Sequence, residues 1–111
     1  MLFFYDKTPV GILYTDKEML DVLTSFIDTF DGDTITYGQI STYIISKADK
    51  DSKLDKLPEA KYNSIILTDK DGQRLSRMLW ELIFQRKIYL NFYRNPYSNI
   101  KQDDFVFGLI K

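Results

Sequence analysis

The chain has 111 residues, 44% of them apolar and 28% charged, a formal net charge of −1, and no cysteine or histidine. That is enough chain for one domain with its own core. It excludes zinc–thiolate sites, disulfide frameworks, thiol nucleophiles and histidine-based triads, so a non-enzymatic protein without metal or cofactor is expected. No apolar run approaches the roughly 20 residues needed to cross a bilayer, and Asp6 follows the opening apolar residues where a secretory leader would be basic, so a cytoplasmic location is expected.

Residues 2–5 (LFFY) and 10–15 (VGILYT) are short, β-prone and separated by Asp6-Lys7-Thr8-Pro9, which predicts an N-terminal hairpin over residues 1–15. Asp16 is expected to cap a first helix running to about Phe30. On that helix Met19, Leu20, Leu23, Phe26, Ile27 and Phe30 share one face, and Glu18, Asp21, Thr24, Ser25 and Asp28 the other. Asp31-Gly32-Asp33 reads as a turn. Thr36 and Gln39 form a capping box that opens a second helix from Tyr37 to about Ser46.

Residues 47–61 alternate charge and contain Pro58, which predicts a solvated insertion with a helical turn near Leu54. Residues 63–68 (NSIILT) suit either a short buried strand or the start of the next helix. A third helix over residues 71–86 has the core stripe Leu75, Met78, Leu79, Leu82 and Ile83, with Gln73, Arg77, Trp80 and Phe84 broadly opposite. Two strands, residues 87–94 and 103–110, close the chain around the polar loop 95–102. In the first of them Ile88, Leu90 and Phe92 alternate with Tyr89, Asn91 and Tyr93.

Charge is unevenly spread. Residues 1–70 hold 8 Lys/Arg against 12 Asp/Glu, and residues 71–102 hold 6 against 2. The positive excess therefore falls on the third helix and the loop after it, where phosphate contacts would need it.

The order hairpin, helix, capped helix, helix, strand, loop, strand resembles the winged helix-turn-helix superfamily over roughly residues 16–111. Ile35-Thr36-Tyr37-Gly38-Gln39-Ile40-Ser41 looks like the short strand and second helix that open the motif, and Arg74-Leu75-Ser76-Arg77-Met78-Leu79 is similar to recognition helices of the group. The resemblance implies an α+β, winged helix-like domain of three helices with a C-terminal β-hairpin wing, here with an added N-terminal hairpin. It implies that Gln73, Arg74, Ser76 and Arg77 face a DNA major groove while Arg94, Asn95, Tyr97 and Lys101 of the wing follow the backbone. Arg offers a planar fork to guanine or phosphate, and Ser76 can add a phosphate hydrogen bond. The link between the second and third helices is longer than the family's tight turn.

The expected function is therefore double-stranded DNA binding, as a small transcriptional or replication-control factor of a mobile element, with a homodimer to raise its affinity. Two other readings stay open. Tyr89, Tyr93 and Tyr97 could stack the bases of a single-stranded nucleic acid, although tyrosines on strands are more often packed. Trp80 and Phe84, placed on the outer face of the third helix, suit a protein interface. They make the alternative a phage- or plasmid-encoded inhibitor that binds a host enzyme or defence nuclease. The aspartate runs do not suit calcium: counted back from Gly72, Leu67 takes the first ligand position and Met78 the bidentate glutamate position.

Overall fold

The computed structural model describes residues 8–55, 65–91 and 105–110. Within them the chain is α+β, in the order β1 (Thr8–Val10), α1 (Asp16–Thr29), β2 (Thr34–Thr36), α2 (Tyr37–Lys50), β3 (Ile65–Leu67), α3 (Asp69–Phe84), β4 (Ile88–Asn91) and β5 (Val106–Leu109). No helix among the described residues is long and apolar enough to cross a membrane.

Each helix starts where a threonine supplies the cap. Thr15, not Asp16, caps α1: its hydroxyl accepts from the Glu18 amide while Glu18 accepts from the Thr15 amide at 2.8 Å. A Thr-x-x-Glu pair satisfies two end donors at once, which an Asp one residue later does not. Thr36 and Gln39 repeat the device for α2. Thr68 caps α3, which therefore begins two residues earlier than the periodicity predicts.

α2 also runs four residues past Ser46, to Lys50. Ala48 continues the Ile40 and Ile44 stripe at spacings of four and is fully buried, so the first part of the expected insertion is helix. Leu54 is not in a helical turn; it makes an isolated antiparallel bridge to Ile12. Residues 56–61 of that stretch lie outside the described residues.

The strands form two small sheets. β2, β5 and β4 are antiparallel in the order β2-β5-β4. Register sets Ile35, Phe107 and Leu90 side by side across the three strands, with Ile88 opposite Leu109. The alternation of Ile88 and Leu90 with Tyr89 follows, since Ile88 is buried and Tyr89 is exposed. The second sheet departs from the sequence expectation. β1 pairs in parallel with β3, Val10 opposite Leu67, and residues 11–15 form no strand. Residues 2–5, the other half of the expected hairpin, lie outside the described residues.

One core joins all of this. Val10, Met19, Leu23, Ile35, Ile40, Ile44, Leu75 and Ile88 are the largest fully buried side chains, each worth about 1.5–3 kcal/mol over its exposed state. α1 packs on α2, and Phe26 stacks on Tyr43 between them with ring centroids 4.0 Å apart. α3 packs on β3 and β4.

Across the outer side of the three-stranded sheet, Tyr89 stands opposite Gly108. A β-carbon added at Gly108 would collide with Cζ of Tyr89, so the ring occupies the space a side chain would need. Gly108→Ala is expected to push the ring off the sheet and lower stability by about 1 kcal/mol or less, read as a lower urea midpoint. Pairing it with Tyr89→Ala should remove most of the difference between Gly and Ala.

Candidate functional site

α3 has two sides with different chemistry, and the inner one is set by an ion pair. Asp71 and Arg74 are the buried charged residues among those described, at 3% and 8% exposure. Asp71 Oδ1 accepts from Arg74 Nη1 at 2.8 Å. Its Oδ2 accepts from the Ile12 amide at 2.8 Å and from the Thr68 hydroxyl at 3.1 Å. Arg74 then donates from Nη2 to the Tyr14 carbonyl at 2.6 Å, from Nη1 to the Ile12 carbonyl at 3.4 Å, and from Nε to Asp16 Oδ1 at 2.9 Å.

Residues 11–15 need no strand partner because side chains and loops take their backbone groups. The Gly11 amide donates to Asp55 Oδ1 at 3.1 Å and the Leu13 amide to the Lys53 carbonyl at 2.6 Å. Among the described residues no buried side-chain nitrogen or oxygen is left without a partner.

The electrostatics follow from these contacts. Burial works against charge on the Arg74 guanidinium, but the hydrogen bonds and charges of Asp71 and Asp16 outweigh it, raising its pKa and holding it charged. Burial and a hydrogen bond to Asp51 push the Tyr14 phenol well above its ordinary range. The same bond, with help from Lys47, holds Asp51 below the usual carboxylate value. Glu18 is lowered chiefly by the Thr15 amide it accepts from.

The outer side of α3 is an exposed stripe at spacings of three and four: Lys70, Gln73, Arg77, Trp80 and Phe84. Its first half is polar and borders an open cleft against residues 12–16 that is lined by Leu13, Thr15, Lys70, Gln73 and Arg77. Its second half is aromatic. Trp80 is 53% and Phe84 75% exposed, and their ring centroids are 6.3 Å apart. Beside Trp80 lies an apolar groove of about 80 Å³, lined by Tyr37, Ser76, Ile83, Leu90 and Phe105 among others.

The expected site residues therefore separate. Gln73 and Arg77 lie on the outer stripe, as does Lys70, which the sequence reading missed because it began the helix at Asp71; Thr68-x-x-Asp71 was the available signal. Ser76 is half-buried in the groove wall. Arg74 is corrected: it does not stand on the outer stripe but is buried, donating to Asp71, Asp16 and the Ile12 and Tyr14 carbonyls. Trp80 and Phe84 are exposed together. Arg94, Asn95, Tyr97 and Lys101 lie outside the described residues. Among the described residues no three Asp or Glu side chains converge as a metal site would require. Comparison with family models, with curated proteins and with solved structures finds no match.

Removing one member of a buried, hydrogen-bonded pair leaves the other uncompensated. Arg74→Ala is expected to cost about 3–5 kcal/mol in urea unfolding. Arg74→Lys should recover only part of that, because an ammonium cannot replace the fork that spans these acceptors. Arg77→Ala, on the outer stripe, should stay within about 0.5 kcal/mol of the parent.

Asp51 and Glu18 have folded pKa values below their unfolded ones. Their stabilisation is therefore complete above the unfolded values, about 4, and is lost as pH falls through the folded ones. Stability measured against pH should drop on that acid side, and Tyr14→Phe should make the drop shallower by removing the bond that lowers Asp51.

Proposed function

We propose that the chain is a winged helix-like, non-enzymatic nucleic-acid-binding protein, a small transcriptional or replication-control factor of the kind mobile elements encode. The observation that carries the proposal is the position of β2. This strand, between α1 and α2, pairs with the last strand and gives the order β2-β5-β4 beside α3, the arrangement that winged helix-turn-helix proteins use to brace a recognition helix. The long link from α2 to α3 and the extra β1–β3 pair are departures from that plan.

On this reading the N-terminal half of α3 enters a DNA major groove, with Lys70, Gln73 and Arg77 toward the duplex. Recognition helices characteristically use their N-terminal residues for base and phosphate contacts. Lys70 and Arg77 make no ion pair with any described residue, so their charge is available to phosphate. Cytoplasmic location accords with this role.

A second reading rests on Trp80 and Phe84. Exposed aromatics beside an arginine are typical interface anchors, and Asp69 and Glu81 offset Lys70 and Arg77 on the outer side of α3, which suits a protein-binding inhibitor of a host enzyme or defence nuclease.

Fluorescence anisotropy with pooled double- and single-stranded DNA at two salt concentrations separates the two. The DNA reading expects sub-micromolar binding that weakens steeply with salt. Arg77→Ala should weaken it further and lower the slope of log K against log salt by about 1. Absence of binding at low salt would reject it. If binding to a host protein is then lost on changing Trp80 while Arg77→Ala has little effect, the second reading stands.

A further inference from the structure

We infer that Trp80 and Phe84 form a contact between two copies of this chain, related by a two-fold axis beside Trp80. Both rings are more than half exposed and neighbours on one helix face. Burying an aromatic ring fully is worth about 1.5–3 kcal/mol, so an adjacent exposed pair is a strong source of association energy.

The surface around the pair complements itself. Trp80 neighbours Phe84 on the outer face of α3 and itself lines the groove, together with Tyr37, Ser76, Ile83, Leu90 and Phe105. Its volume of about 80 Å³ is several times the roughly 10–15 Å³ that one water requires. A two-fold axis exchanges the two sides of a patch, so the projection of each copy meets the depression of the other. Phe84 of one copy then enters the groove of the second, and the second returns the same contact.

Charge matches as well. Arg77 and Glu81 are exposed on either side of Trp80 along α3, and neither makes an ion pair with any described residue. In an antiparallel approach of two α3 helices, Arg77 of each copy is directed toward Glu81 of the other. Lys70 lies about 21 Å from Phe84 along the helix at 1.5 Å per residue, so the polar end of α3 stays open. The contact does not depend on nucleic acid.

Sedimentation equilibrium of the full chain without nucleic acid, from low micromolar to submillimolar concentration, tests this. The expected result is a monomer–dimer equilibrium. Trp80 is the only tryptophan, so its emission should shift to the blue over the same concentration range. Phe84→Ser should weaken the dimer about tenfold or more, with an unchanged circular dichroism spectrum because this side chain is not part of the core. Arg77→Glu should weaken it too, and Arg77→Glu with Glu81→Arg should restore it. A chain that stays monomeric throughout, or a dimer indifferent to Phe84→Ser, overturns the inference and leaves the anisotropy result for DNA unaffected.

Discussion

The structure depends on how two charges are buried at the start of α3. Asp71 and Arg74 sit one turn apart, and an ion pair placed there with nothing else would cost more to desolvate than it returned. Here both members of the pair have further partners. Asp71 receives the Ile12 amide and the Thr68 hydroxyl, and Arg74 reaches two carbonyls and Asp16. The pair thereby satisfies the Ile12 amide and the Ile12 and Tyr14 carbonyls, while residues 53–55 take the backbone of Gly11 and Leu13. It also fixes the rotation of α3, because turning Arg74 and Asp71 inward directs Lys70, Gln73, Arg77, Trp80 and Phe84 outward.

That rotation divides the outer stripe by chemistry. Its polar half lies near the start of α1, and its aromatic half lies over the groove between α3 and the β2-β5-β4 sheet. A helix of 16 residues is long enough to offer two separate surfaces, roughly 24 Å end to end. The nucleic-acid proposal rests on the first and the self-association proposal on the second, and they meet at Arg77, which the one directs to phosphate and the other to Glu81 of a second copy.

Much of this is visible in the residues, and what is not has a common cause. The Leu75, Leu79 and Leu82 stripe, the Thr36–Gln39 box and the final helix-strand-strand order are local patterns, and they place α2, α3 and the closing strands. Two misses also had local signals: Thr15-x-x-Glu18 for the first cap, and Ala48 four residues beyond Ile44 for the length of α2. Arg74 is different. An arginine beside Ser76 and Arg77 on an amphipathic helix reads as surface, and only the Asp71-x-x-Arg74 spacing hints at a pair. Its decisive partners, Ile12, Tyr14 and Asp16, are 58 to 62 residues away in sequence. The parallel pairing of β1 with β3 is non-local in the same way, and no periodicity in either strand announces it.

That separation has a consequence for how the protein is made. Residues 8–16 leave the ribosome long before α3 does, and at about 5–20 residues per second the interval is roughly 3–12 s. During it the Ile12 amide and the Ile12 and Tyr14 carbonyls have only water as partners, while Val10, Ile12 and Tyr14 lack the surfaces that later cover them. The α1–α2 hairpin can assemble in that time from contacts within its own stretch of chain. The N-terminal segment can meet residues 53–55 and β3 earlier, but its Ile12 amide and its Ile12 and Tyr14 carbonyls must wait for Asp71 and Arg74, which makes the completion of its docking a late step of biosynthesis and leaves those groups open until α3 emerges.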